Sequence, residues 1–247
     1  MKDISKIIMA FLGAAFFTFL LVLDAGKISY AGSPSQIRAT GERDRDIVRD
    51  GWVKGEAVRC YDVSNRLSLV EDRSGRRSGA FDFLYKKKLK SYYALLEDGT
   101  TVPVRATAKW YSARFTEDGV PKEGTTVVIS GFAEKIHSQL RGKWQSNAES
   151  AFENEAGSAY EVSVDGRTIE LTFIVQSYVN VHAYSLLWQR IIASALVVLF
   201  FIIYAVLQIV GIRRGWKNGA GGGILGKVLG LVWVVPMIWY LVLWRLV

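Results

Sequence analysis

The chain has 247 residues, 50% of them apolar and 22% charged, and its mean hydropathy is +0.17. That is too apolar for a disordered chain, and a single cysteine excludes a disulfide scaffold and a thiolate zinc cluster. The net charge of +8 does not mark a nucleic-acid partner: Arg213, Arg214, Lys217 and Lys227 supply half of it from one short segment, whereas residues 24–190 carry 24 basic and 22 acidic side chains.

Residues 1–6 carry Lys2 and Lys6 and precede an uncharged apolar run, Ile7 to Leu23. As a helix this run is about 26 Å long, enough to cross a bilayer core. It reads as a transmembrane anchor (7–23) or as a signal peptide cut after Ser29-Tyr30-Ala31. The anchor is favoured, because Asp24 and Lys27 lie between the run and the cleavage site. Residues 24–50 form a polar stalk in which Glu42 and Arg45, and Asp46 and Arg49, stand three apart as in a solvated helix.

Residues 51–183 have a β pattern. Glu56 to Val63 reads as a short strand in which Cys60 alternates with Val58 and packs as a small apolar residue. Tyr92 to Ala106 reads as a hairpin with a two-residue turn at Asp98-Gly99. That turn sets Leu95 opposite Val102 and Tyr93 opposite Val104, and Pro103 on the other face marks an edge strand. Ala108 to Thr116 is a short helix. Gly124 to Ile136 is apolar on both faces, as in a central strand, with Gly131 inviting a bulge or bend. Gln139 to Asn154 is too polar to assign. A second hairpin turns at Asp165-Gly166, pairing Val162 with Ile169, Tyr160 with Leu171, Ser163 with Thr168 and Glu161 with Glu170. Short strands bent at glycine and joined by hairpins indicate a closed or partly open barrel, or a small sandwich.

Two further spans follow, 188–212 and 224–244, separated by a basic, glycine-rich loop at 213–223 and ending in residues 245–247. Pro236 kinks the last span without ending it, and neither span has an ionised side chain near mid-bilayer. The positive-inside rule places the amino terminus and the 213–223 loop in the cytoplasm and the β-rich region outside. Tyr184, Trp188, Trp216, Trp239, Tyr240 and Trp244 sit where interfacial aromatic anchors belong. No Asn-x-Ser/Thr sequon occurs, which favours a bacterial plasma membrane.

Few residues carry recognisable chemistry. Lys86, Lys87, Lys88 and Lys90, interleaved with Phe81, Phe83, Tyr85, Tyr92 and Tyr93, are candidates for an anionic surface; the bland reading is a strand edge protected by lysines. Gly222, Gly226 and Gly230 are spaced four apart and suit close helix packing. GGGILGK at 221–227 lacks the Ser or Thr of a phosphate loop, since Val228 follows it. Glu161 and Glu170 form a cross-strand carboxylate pair with the spacing of a weak cation site, or simply a solvated pair. His137 and His182 are the only imidazoles, and neither lies in a GxSxG or HExxH motif.

A membrane span, then a β domain containing GTTVVISGFAEKI, then further spans resembles an uncharacterised family of small bacterial three-span membrane proteins with an oligonucleotide/oligosaccharide-binding-like (OB-like) domain outside the bilayer. The resemblance implies an architecture of α-helical transmembrane spans plus an extracytoplasmic, mainly-β, OB-like barrel or small sandwich. It implies no activity, no cofactor and no site residues. The expected partners are the lipid bilayer and a protein or second copy met through the transmembrane helices, with no nucleic acid. The expected function is a non-enzymatic structural or interaction module; the alternatives are a membrane-tethered hydrolase of envelope substrates and a subunit of a channel or transporter.

Overall fold

A computed structural model describes residues 2–37, 51–63, 89–136, 145–146, 148–150, 152–153, 157–158, 160–214 and 234–241. In chain order the elements are α1 (Lys2–Ser29), β1 (Ser35–Gln36), β2 (Trp52–Asp62), β3 (Leu89–Leu96), β4 (Thr100–Thr107), α2 (Ala108–Ser112), β5 (Val127–Lys135), β6 (Glu161–Val164), β7 (Arg167–Glu170), β8 (Thr172–Phe173), β9 (Ser177–Asn180) and α3 (Ala183–Arg213). They divide into a helical unit, Met1–Ser29 with Ser185–Val247, and a β unit, Tyr30–Tyr184.

In the helical unit, long apolar sequence winds into two helices long and apolar enough to span a membrane. Both outrun the apolar cores read from sequence: α1 continues through Asp24 and Lys27 to Ser29, and α3 starts at Ala183. Their buried positions include Ala10, Ala14 and Phe17 on α1 and Ala193, Val197, Ala205 and Gln208 on α3, while Phe11, Phe16, Phe19, Leu199 and Ile202 stay exposed. A Cβ built on Gly13 would lie 2.7 Å from the Phe201 ring, so the missing side chain is what lets α1 approach α3. Residues 234–241 are helical and include Pro236. Tyr240, expected as an interfacial anchor, is buried instead: its ring meets Phe17 edge-on at 5.4 Å. The glycines at 222, 226 and 230 lie outside the described residues.

The β unit is built on a closed five-stranded barrel in the order β2-β3-β4-β9-β5 and back to β2. β2 is long enough to pair with β5 along Trp52–Ala57 and with β3 along Ala57–Asp62. All neighbours are antiparallel except β4 and β9, which run parallel. The interior is filled by Val53, Ala57, Cys60, Tyr92, Ala94, Leu96, Val102, Val104, Ala106, Ile129, Ala133 and Val179. Tyr111 of α2 stacks on Tyr92 with ring centroids 4.5 Å apart, and its hydroxyl donates to the Cys60 carbonyl at 2.9 Å.

Four expectations are corrected here. The β3–β4 loop has three residues, not two: Gly99 N–H bonds the Leu96 carbonyl at 3.1 Å, Gly99 takes φ +84°, and the pairs are Tyr93 with Pro103 and Ala94 with Val102. That one-residue slip turns Tyr93 and Leu95 to the outside and puts Tyr92, Ala94 and Leu96 inside. Pro103 marks no edge, since closure leaves β4 paired on both sides. It lies opposite the gap between β8, paired at Thr100 and Thr101, and β9, paired at Val104 and Arg105. A register shift between Ala57 and Arg59 puts Cys60 in the interior and Val58 against the outer cluster, so the two do not share a face. Gly131 sits in unbroken register with Val53, without a bulge. A Cβ there would lie 2.4 Å from the Asn180 carbonyl oxygen, so glycine is needed for close approach of β9.

The β6–β7 hairpin has the expected register around Asp165-Gly166, both at positive φ, and Leu171 N–H bonds the Tyr160 carbonyl at 2.7 Å. It stands apart from the barrel ladder. Its Val162 and Val164, together with Ala148 and Phe152 from the segment too polar to assign, bury the outward-facing Tyr93, Leu95 and Tyr178 in a second core. Phe152 meets Tyr61 edge-on at 4.9 Å and Tyr93 at 6.0 Å.

Candidate functional site

A buried polar arrangement in the β unit lies at the end of β9. Glu134 on β5 pairs with Tyr178 on β9, and both are buried. The Tyr178 hydroxyl donates to one Glu134 carboxylate oxygen, and Asn180 Nδ2 donates to the other at 3.0 Å. Two donors to a buried carboxylate replace the water it loses. Asn180 Oδ1 then accepts the backbone N–H of His182 at 3.1 Å, and His182 Nε2 accepts the backbone N–H of Thr107 at 3.1 Å. Thr107 is the N-cap of α2, its hydroxyl accepting from Trp110 N–H at 3.2 Å. One chain of hydrogen bonds thus ties β5, β9 and the β4–α2 corner to one another through His182.

This geometry sets the state of the imidazole. Nε2 accepts, so the neutral ring carries its proton on Nδ1. Burial, and then the nearby Arg114 guanidinium, hold the His182 pKa below its ordinary value of 6.5. Arg114 itself lies over the Trp110 ring at 5.0 Å. Beside the network, Trp52 meets Phe132 edge-on at 5.5 Å and Tyr184 at 6.0 Å.

An open cleft of about 310 Å³ is lined by Gln36, Ile37, Gly55, Glu56, Leu96, Glu97 and Asp98. Asp98 Oδ1 is engaged by Thr100 N–H at 2.9 Å. Among the described residues, no group of three His, Cys, Asp or Glu side chains is placed to hold a metal ion.

The residues singled out in the sequence do not converge on one place. Lys90 is the second residue of β3 and its ammonium pairs with Asp62 at 3.1 Å, both half-exposed. Such a surface pair is worth little. Lys86, Lys87 and Lys88, His137 and the GGGILGK loop lie outside the described residues. Glu161 and Glu170 do stand opposite each other, exposed to solvent. Cys60 is fully buried, and burial, aided by Asp62, pushes its thiol well above its ordinary range. Sequence reasoning missed Glu134, Tyr178 and Asn180. Their available signal was strand alternation: Glu134 and the two residues of β9 all point away from the barrel interior, where a buried carboxylate needs donors.

No family model, no relative among known proteins and no solved structure matches the chain.

Proposed function

We propose that this chain is a non-enzymatic interaction module: an OB-like barrel held at the outer face of a bacterial membrane by apolar helices, presenting its surface to a protein or envelope component. The observation that carries this reading is the filled interior of the barrel, closed by five strands and plugged by Tyr111 and Phe115. A barrel with no room inside acts through its surface. Three features favour the OB-like reading. Numbered along the barrel, its strands run first, second, third, fifth, fourth and back to first. The third and fifth are parallel, and the short helix α2 lies between the third and fourth. The outward aromatics Tyr61 and Tyr93, which on an open OB face would stack bases, are covered by Phe152. That argues for a protein or polymer partner on another face rather than a single strand of nucleic acid.

The test places a photocrosslinking residue at Val128 or Tyr160, two large apolar side chains of the β unit exposed at 59% and 63%, in the full chain in native membranes. A discrete adduct that competes with added unlabelled full chain supports the module. Turnover of an envelope substrate by the purified chain, without such an adduct, overturns it in favour of an enzyme.

A further inference from the structure

The first apolar run admits both a retained anchor and a cleaved leader. We infer that α1 is retained in the mature protein as a structural helix, locked to α3 by a buried ion pair between Asp24 and Arg190. Their carboxylate and guanidinium groups are 2.8 Å apart, with side chains 2% and 5% exposed. Both lie in the same compact unit.

Shape and charge agree on one register. Eleven residues separate Gly13 from Asp24 on α1, and eleven separate Arg190 from Phe201 on α3. The Gly13–Phe201 contact and the Asp24–Arg190 contact are therefore two points of a single antiparallel packing, about 16 Å apart along the helices. A leader needs a basic start, an apolar run and a small-residue cleavage site. It does not need a glycine opposite an aromatic ring on another helix, nor a carboxylate opposite a buried guanidinium. The described residues 234–241 join the same contact: Tyr240 lies edge-on to Phe17 at 5.4 Å, and the Arg190 guanidinium sits 5.8 Å from the Tyr240 ring.

Arg190 makes the argument directional. Removing α1 takes away the only acidic partner within ion-pair distance of Arg190 among the described residues, and an unpaired buried cation strongly destabilises the unit that holds it. The cleavage motif is also poorly presented. Ser29 ends α1, its hydroxyl bonding the Gly26 carbonyl at 2.7 Å, and Tyr30–Gly32 continue as a 3-10 turn. Wound backbone offers no extended strand for a protease to engage.

The first test is the intact mass of the full chain purified from membranes through a C-terminal tag. The expected mass includes residues 2–31; a mature species beginning at Gly32 overturns the inference. The second is a charge exchange. Asp24→Asn and Arg190→Gln are each expected to lower the melting temperature in detergent by roughly 10 °C. The double variant Asp24→Arg with Arg190→Asp is expected to recover at least half of that loss. An exchange no more stable than either single variant would refute the lock. Neither readout depends on what the barrel binds, so failure here is distinct from failure of the proposed function.

Discussion

Replacing Gly131 with alanine tests whether close strand approach closes the barrel. The position has ordinary strand backbone, so alanine meets no conformational strain there. It meets matter: its Cβ would lie 2.4 Å from the Asn180 carbonyl oxygen, 2.7 Å from that carbonyl carbon and 2.9 Å from Val179 Cγ1. Ordinary contact begins near 3.4 Å, so β9 must retreat by about an ångström at the residues that pair with Phe132 and Ala133. Overpacking of this kind costs about 1–3 kcal/mol. One or two weakened ladder hydrogen bonds add about 1 kcal/mol each. The lower entropy of the unfolded chain returns about 0.4–1 kcal/mol. The net loss is about 2–4 kcal/mol, or roughly 5–12 °C of melting temperature for a unit of this size. The assay is thermal melting of the purified full chain followed by near-UV circular dichroism. Gly166→Ala is the control: φ there is +78° and nothing lies within 4 Å of the built Cβ, so its loss is held to about 1 kcal/mol by backbone strain alone. A Gly131→Ala protein that melts within 2 °C of the Gly166→Ala protein would show that the close approach does not govern closure.

Three further outcomes follow from the same geometry. The His182 pKa is lowered in the fold, so the neutral ring is the native form: its contribution to stability is complete above the unfolded value of 6.5 and declines as the pH falls below it toward the folded value. Unfolding titrations at pH 7.5 and 5.5 should therefore differ more for the native chain than for His182→Gln; equal differences would remove His182 from the account. The Cys60 thiol, buried and held protonated, should react with a thiol reagent at pH 8 at least 100-fold more slowly in the folded chain than in urea, and comparable rates would contradict its place in the barrel core. Tyr111→Phe removes the buried hydrogen bond to the Cys60 carbonyl and should lower stability by about 1–2 kcal/mol in chemical denaturation, with no change in the denaturant slope.

The same Asp-Gly signal shows where sequence suffices and where it does not. At Asp165-Gly166 both residues adopt positive φ and the two-residue turn fixes every pair in β6–β7. At Asp98-Gly99 only Gly99 is left-handed, Glu97 joins the loop, and every pair shifts by one. The dipeptide is identical; what differs is Thr172 N–H bonding the Gly99 carbonyl from 73 residues away, a tertiary contact no local pattern contains. Cys60 and Val58 separate for a similar reason, because β2 must serve β5 with one half and β3 with the other and shifts register between them. Phe152 and Ala148 are a helical i,i+4 pair hidden in polar sequence, since one turn of apolar spacing is too short to stand out. The apolar helices were legible because length and composition are local properties. The Asp24–Arg190 pair was not, since each charge alone reads as the polar end of a span.

The central claim is a closed barrel fastened outside a membrane by apolar helices. A protease site inserted at the exposed Asp165-Gly166 turn interrogates it directly in intact cells. The account predicts cleavage by added protease before lysis, with the helical segments remaining in the membrane fraction. Protection until the cells are broken open would contradict it and place the barrel on the cytoplasmic side.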